Sequence, residues 1–205
     1  MEKSVTRARD PEATKARILA AAAEEFAAKG ISGARIDDIA ERARTNKRML
    51  YYYFGSKEDL FREVLQRELS ARIEQVSQLP GDRGERLVDR QVHHLVDRNY
   101  VRLLCWESLE RDPDAALDDG ERRAACEAWV AAVKAEQEAG RIAAGLDPAQ
   151  LVLSELALTL FPAAFPQFTR WITGYDVDDP AFLSERQGFL RDFARRFLFG
   201  SDAPH

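Results

Sequence analysis

The feature that most constrains the fold is a pair of short helical patterns separated by a three-residue turn, within residues 36–54. Asn46 is a suitable N-cap for the second pattern, and Gly55 is a suitable terminator. The sequence therefore predicts two short helices joined as a helix-turn-helix. The apolar residues of the first pattern follow the i, i+3, i+4, i+7 spacing of one helical face: Ile36, Ile39, Ala40 and Ala43.

The second short helix is predicted to bury one side only. At about 100° per residue, Leu50 and Phe54 lie close together on the helix and define the buried side. Arg48 and Tyr52 fall on the opposite side. A large aromatic side chain that points to solvent beside an arginine indicates a binding partner. A helix with one face free of the core is what entry into the major groove of DNA requires.

The side-chain types on this helix suit a DNA-binding role. Arg48 can donate to guanine edges or phosphates, and Met49 offers apolar contact to a thymine methyl group. Tyr51 and Tyr53, on the flanks, can donate to phosphates, although packing is the favoured alternative for Tyr51. Lys57 lies at the N-terminus of the next helix, which favours anions. The predicted DNA-binding residues are Arg35, Arg44, Thr45, Asn46, Lys47, Arg48, Met49, Tyr51, Tyr52, Tyr53 and Lys57.

Two longer helices are predicted to flank the helix-turn-helix. Asp10 and Pro11 suit the N-cap and first position of one helix, which Gly30 ends. Ser56 and Asp59 match a capping box that starts the other, which extends to about residue 77. Residues 1–9 form a basic arm, and LPGDRG at 79–84 is a chain break. Later helices are predicted near 85–97, 99–110, 115–139, 148–168 and 180–198.

The composition favours an all-helical protein. Only 11 Gly and 8 Pro occur in 205 residues, so long stretches lack helix breakers. No stretch alternates with period two for long enough to predict a strand. The predicted fold class is all-α, with an N-terminal three-helix helix-turn-helix domain, a C-terminal helical bundle and about nine helices in total.

The charge is distributed unevenly along the chain. Residues 1–55 carry 11 Lys and Arg against 8 Asp and Glu, whereas the remainder carries 19 against 27, for a net charge of −5. The basic front is where a polyanion would bind. Cys105 and Cys126 form no CxxC pair, and no apolar segment follows the charged N-terminus. We therefore expect a reduced, cytoplasmic protein without a signal peptide or membrane span.

Several motifs together resemble a known family. ARILAAAAEEFAAKG, IDDIAERA and LYYYFGSKEDLF, in this order within Ala16–Leu65, resemble the first four helices of TetR-family transcriptional repressors. Two residues depart from the family pattern, since Arg44 replaces the usual turn Gly and Arg35 replaces a Ser or Thr cap. Each departure costs about 1 kcal/mol. Asn46 replaces a usual Ser and keeps an N-cap.

The resemblance implies a homodimer that binds an inverted-repeat double-stranded DNA operator and is released by a small-molecule effector. It implies a DNA-binding domain in residues 1–55 and a ligand-sensing, dimerisation domain in residues 56–205, connected by the helix at 56–77. The apolar 151–165 segment and the last helix could form the dimer interface. Periodicity alone fits an intramolecular core equally well.

An apolar or aromatic effector is predicted, because large aromatic side chains mixed with a few polar groups line such cavities. For any single residue of such a set, an ordinary core position is the favoured alternative.

No enzyme motif is present, His93 and His94 do not form an i, i+4 metal pair, and we expect no cofactor, metal or catalytic residue. The remaining alternative is a helical ligand-binding or interaction module that has lost specific DNA binding. The predicted effector-binding residues are Asn99, Leu103, Trp106, Trp129, Val133, Phe161, Phe165 and Trp171.

Overall fold

The computed structural model describes residues 10–77, 83–110 and 120–198, which form ten α-helices and a final π-helical turn. These described residues contain no strand, so the predicted all-α class is confirmed, with ten helices instead of about nine. The basic arm and most of LPGDRG lie outside them. The helices are α1 (Pro11–Gly33), α2 (Ile36–Arg42), α3 (Lys47–Phe54), α4 (Lys57–Ser77), α5 (Arg83–Val96), α6 (Arg98–Glu110), α7 (Gly120–Glu138), α8 (Pro148–Ala164), α9 (Pro166–Thr173) and α10 (Pro180–Phe193), followed by the π-turn Ala194–Leu198.

The described residues pack as two compact units. Helices α4 and α6 each contribute residues to both units, so the units do not coincide with a simple cut of the chain. The predicted boundary between residues 55 and 56 separates a DNA-binding domain from a ligand-sensing, dimerisation domain. This boundary is defined by function, and it stays a prediction. The first unit holds residues 10–68 and 102–110, and the second holds residues 69–101 and 120–198.

The first unit has a core built from α1, α2, α3 and the start of α4. Phe26 of α1 and Phe61 of α4 are fully buried, and their rings meet edge to face with centroids 5.1 Å apart. Ile39 of α2 and Leu50 of α3 pack into the same cluster. Edge-to-face rings add to the stability gained from apolar burial, and this core supports the short helices α2 and α3.

Helix α1 kinks at Gly30, where the prediction placed its end. Gly30 has φ +72° and ψ 179°, and one more turn follows to Gly33. The α1 carbonyl of Ala27, near this kink, accepts hydrogen bonds from Arg102 Nε (2.7 Å) and Trp106 Nε1 (3.3 Å) of α6. Side chains of α6 therefore donate to the backbone of α1 next to the kink, where regular helical hydrogen bonding is interrupted.

The start of α2 lacks a side-chain cap, as the sequence predicts for Arg35. Instead, the buried Glu25 carboxylate of α1 accepts from the Arg35 backbone N–H at 3.5 Å. Glu25 is 1 % exposed and also pairs with Lys29 at 2.7 Å and Arg42 at 3.6 Å. A carboxylate near a helix N-terminus complements the helix dipole, so Glu25 compensates for the missing cap.

The prediction of one continuous helix over 148–168 is wrong, because the chain bends at Phe165 and forms two helices, α8 and α9. Pro166 cannot donate an N–H, and its ring disfavours helical geometry at Phe165, which has φ −128° and ψ 64°. No single helix within the described residues is long and apolar enough to cross a membrane. Only α8 and α9 taken together reach that length and composition, and they are bent by 91°.

The second unit is a bundle in which α5 packs against α8 and α10, and α7 packs against α8. Two apolar clusters hold it together. One joins α7 and α8 to the final π-turn, and the other joins α5 to α10. Long charged side chains also connect α5 with α7, since Arg83 and Arg86 both reach Glu136, at 3.1 and 2.6 Å.

We predict that Gly30→Ala destabilises the protein by about 3 kcal/mol. The backbone conformation of Gly30 is nearly exclusive to glycine and costs other residues about 1–3 kcal/mol. A Cβ atom would also lie 2.8 Å from Cε3 of Trp106, beside the Glu110 carboxylate. Urea unfolding monitored by circular dichroism measures the loss.

Gly174→Ala is the matched control. Gly174 also has positive φ (+81°), but a Cβ atom there meets nothing within 4 Å. Its substitution should cost about 1 kcal/mol, which is the ordinary penalty for a left-handed residue. Equal losses in the two variants would contradict the role of the contact between the α1 kink and α6.

Candidate nucleic-acid interface

The turn between α2 and α3 positions the start of α3. Arg44 has φ +52°, the left-handed conformation that the sequence predicts at this position, and is alone among the described non-glycine residues in having positive φ. The Thr45 N–H donates to the Ala40 carbonyl at 2.9 Å. The Asn46 side chain then accepts from the Met49 N–H at 3.1 Å, which confirms the predicted N-cap.

Helix α3 buries one side and exposes the other. Leu50 and Phe54 are 2 % and 7 % exposed, which confirms the predicted anchors. Tyr52 is 77 % exposed, and Arg48 and Lys47 are also exposed. Met49 is half-buried. The free surface of α3 is therefore aromatic and basic, which suits contact with DNA bases and phosphates.

The three consecutive tyrosines occupy different environments. Tyr53 is half-buried and packs against the first-unit core. The Tyr53 and Tyr52 rings meet edge to face, with centroids 5.3 Å apart. This contact restricts the exposed Tyr52 side chain. Tyr51 is 44 % exposed, so it is not a core residue. Tyr51 and Tyr52 are therefore exposed to solvent, and Tyr53 packs against the Tyr52 ring.

Two lysines near α3 already have partners within the protein. Lys57 Nζ donates to the carbonyls of Ala34, at 3.0 Å, and Ser32, at 3.5 Å. Lys57 thus joins α4 to the α1–α2 junction. Lys47 Nζ lies 3.4 Å from the Asp37 carboxylate of α2, in an exposed pair of little energetic weight. DNA contact by either lysine stays a prediction.

Helix α4 begins with the predicted capping motif, in a modified form. The Asp59 N–H donates to Ser56 Oγ at 2.9 Å, and Ser56 Oγ donates to Asp59 Oδ2 at 2.6 Å. In an ordinary capping box, the acidic side chain accepts from the backbone N–H of the cap residue. Here the Asp59 carboxylate accepts from the Ser56 hydroxyl. The Ser56 hydroxyl, assisted by Arg62, lowers the pKa of Asp59. The contacts of ionised Asp59 therefore stabilise the fold above the ordinary carboxyl pKa. This stabilisation is lost as pH falls through the lowered pKa of Asp59.

Arg17 of α1 is a basic residue near the interface that the sequence prediction missed. It is exposed, and its Nε donates to the Ala43 carbonyl at 3.4 Å, beside the α2–α3 turn. Its guanidinium also donates to Thr14 Oγ1 at 3.1 Å. The i, i+3 spacing of Thr14 and Arg17 was the only sequence signal, because the contact with residue 43 depends on the folded unit.

Two of the predicted effector-binding residues have a structural role in the first unit. Leu103 is fully buried in the core that supports the helix-turn-helix. Trp106 bonds the Ala27 carbonyl and packs beside Gly30. Both follow the apolar pattern of α6, which does not reveal which unit they join. Their binding of an effector stays a prediction.

The other six predicted residues lie in the second unit and differ in exposure. Val133 is fully buried, with half-buried Trp129 packed nearby. Asn99 is exposed. Phe161 and Phe165 are each 43 % exposed and Trp171 is 73 % exposed, so these three lie at the surface of the unit, and their binding of an effector stays a prediction. With Phe168 they form a chain of ring contacts along the outer face of α8 and α9.

The second unit also has an open groove of about 220 Å³ beside the final π-turn, lined by residues of α8 and α10 and by Phe197. No group of three or more His, Cys, Asp or Glu side chains that could hold a metal ion occurs in the part of the chain that the structure describes.

Comparison with known proteins agrees with this geometry. Residues 18–64 match the model for bacterial regulatory proteins of the tetR family, and residues 84–196 match that for the tetracyclin repressor-like C-terminal domain. The chain is 39% identical to the HTH-type transcriptional repressor SCO4008 of Streptomyces coelicolor, over 82% of this chain and 87% of that protein. It is 30% identical to the HTH-type transcriptional regulator RutR of Escherichia coli K12, over 87% of each chain.

Solved structures share the fold. The Streptomyces coelicolor protein SCO4942 has a TM-score of 0.76 and 29% identity, over 90% of this chain and 98% of that one. A Saccharomonospora viridis protein solved in complex with choline has a TM-score of 0.65 over 90% of this chain and 96% of that one, and at 20% identity this match concerns the fold alone. The one-sided helix α3, the two family models and the similar repressor together show that the chain belongs to the TetR family of DNA-binding transcriptional regulators.

Proposed function

We propose that the protein is a cytoplasmic, homodimeric repressor that binds an inverted-repeat operator and leaves it when a small-molecule effector binds. The observation that carries this proposal is the exposed face of α3, where Arg48 and Tyr52 project from a helix anchored by Leu50 and Phe54. No enzymatic step or cofactor is required for this role. Repression is favoured over activation because the repressor SCO4008 is similar over most of the chain.

The geometry of α3 suits recognition in the major groove. Arg48 would bond guanine, and Tyr52 would bond a base edge or a phosphate. Arg17 and Lys47 lie at the α2–α3 turn and the start of α3, where phosphates would flank the groove. Base contacts would supply specificity, and these basic residues would supply salt-dependent affinity.

An exposed apolar surface supports the dimer. Leu153 of α8, Phe168, Trp171 and Ile172 of α9, and Phe189 of α10 are between 45 % and 74 % exposed. Clusters of exposed large apolar side chains are uncommon on monomers and mark association surfaces. A second copy of the chain is the proposed partner, because an inverted-repeat operator requires a two-fold pair of recognition helices.

Release by an effector requires a connection between the two units, and α4 and α6 provide continuous helices through both. In the first unit, α6 bonds the end of α1 through Arg102 and Trp106, while Glu110 accepts from the Ser32 N–H at 2.9 Å. We propose that an effector in the second unit shifts these helices and thereby the spacing of the paired α3 helices. This is a coupling between two sites.

We predict that Arg48→Ala weakens operator binding by about 10- to 100-fold while changing binding to random DNA little, because a base contact contributes about 1–3 kcal/mol. Lys47→Ala is the control and should weaken operator and random DNA alike, with a salt slope lower by about 1. Gel-shift titrations with the promoter of its own gene, over a salt series, measure both. Equal losses on both DNAs for Arg48→Ala would contradict its role, and wild-type protein without sequence-selective binding would contradict the repressor.

We also predict that Trp171→Glu converts the dimer to a monomer, because the substitution places a charge within the proposed apolar interface. Leu109→Glu is the matched control, since Leu109 is also exposed, at 78 %, but belongs to α6 of the first unit and not to the proposed interface. Sedimentation velocity measures the oligomeric state. A Trp171→Glu protein that sediments as a dimer would place the association surface elsewhere, and a monomeric wild-type protein would contradict the proposed homodimer.

A further inference from the structure

A set of buried polar atoms in the second unit has no partner within the protein. Gln91 of α5 is 2 % exposed, and neither its amide nitrogen nor its amide oxygen makes a hydrogen bond within the described structure. His94, one turn later, is 6 % exposed, and its Nδ1 also lacks a partner there. Buried polar groups in proteins are nearly always bonded, so these atoms indicate a missing partner.

Two buried polar side chains of α8, the helix that packs against α5, already have hydrogen-bond partners elsewhere. Opposite α5, Thr159 of α8 is fully buried and donates its hydroxyl to the Glu155 carbonyl at 2.9 Å. The Glu155 carboxylate is 2 % exposed and is held by Arg83, through two hydrogen bonds. The hydrogen-bonding capacity of α8 at this level is therefore largely used.

The same region is rich in arginine. Three arginines of α5, Arg83, Arg86 and Arg90, face two carboxylates, Glu136 and Glu155. Arg90 reaches Glu155 only at 3.8 Å and makes no hydrogen bond to any described residue, although its side chain is only 14 % exposed. A guanidinium has five donors, so Arg90 retains the capacity to bind an anion.

The other neighbours define what kind of anion fits. The Arg90 guanidinium lies 6.0 Å from the Trp129 ring, which provides a flat apolar wall. Burial lowers the pKa of His94 to about 4, although a hydrogen bond with the Thr159 backbone acts in the opposite direction. The imidazole is therefore neutral at physiological pH, and it offers a hydrogen bond without adding charge.

We infer that Arg90, Gln91 and His94 form the effector-binding site, and that the effector is an organic carboxylate with a flat apolar body and a neighbouring hydroxyl or amino group. This inference rests on the proposed function as an effector-released regulator and specifies the ligand. Arg90 and the Gln91 amide N–H bind the carboxylate. The Gln91 oxygen accepts from the hydroxyl or amino group, and Trp129 contacts the flat body. The proposed effector thus adds a negative charge to the apolar or aromatic molecule that the sequence predicts.

Binding to the full-length protein without DNA tests the ligand class. The probes are benzoate, salicylate and anthranilate, each compared with its neutral amide in thermal-shift and calorimetric titrations. At least one carboxylate should bind tenfold or more tightly than its amide, and Arg90→Met should remove that difference. Any of three results would overturn the inference: the amides bind as well as all three carboxylates, no carboxylate binds, or Arg90→Met keeps the preference for the carboxylate.

The stability of the unliganded protein provides a second test. Gln91→Leu should raise the melting temperature by a few degrees, because it removes two unpaired buried polar atoms, and it should also abolish carboxylate binding. Thr159→Val is the matched control and should not raise the melting temperature, since it deletes a bonded hydroxyl of the same interior. A lower melting temperature in Gln91→Leu would assign Gln91 a structural role and overturn the inference.

These tests are independent of operator binding. A protein that binds its operator selectively but ignores the carboxylates would contradict the effector assignment and leave the proposed repressor intact. Carboxylate binding by a protein that recognises no operator would contradict the repressor and leave the site intact.

Discussion

The burial of Leu50 and Phe54 is the interaction on which the DNA-binding surface depends. Helix α3 has 8 residues, too few for a helix to be stable alone in water. These two side chains attach it to a core that includes the Phe26–Phe61 contact. Since the burial uses one side of the helix, Arg48 and Tyr52 on the other side stay free. The same two contacts therefore provide both the stability and the exposure that recognition needs.

The two units use polar groups in opposite ways. In the first unit, the buried Glu25 is fully engaged by Lys29, Arg42 and the Arg35 backbone, so it stabilises the start of α2. In the second unit, the side-chain amide of Gln91 and Nδ1 of His94 are also buried but have no hydrogen-bond partner within the described structure. Unpaired buried atoms lower stability, and this cost is consistent with a site that gains its partner only when a ligand binds.

Local signals explain why much of the DNA-binding unit could be predicted from the sequence. The caps at Asn46 and Ser56, the left-handed Arg44 and the one-sided burial of α3 each depend on residues within one turn of one another. Tertiary contacts explain the rest. Arg17 reaches the α2–α3 turn from a position 26 residues away, and Leu103 joins the first-unit core from α6. The polar face of α5 could not be predicted, because periodicity does not show which buried polar groups lack partners.

The most direct test of the account is selection of bound duplexes from a random DNA pool by the purified protein. Two α3 helices related by two-fold symmetry should enrich an inverted repeat, with half-site centres one helical turn apart (roughly 34 Å) or a multiple of it. Enrichment of a single, asymmetric site would contradict the paired arrangement of α3. Absence of any enriched sequence would contradict the claim that its exposed face reads DNA.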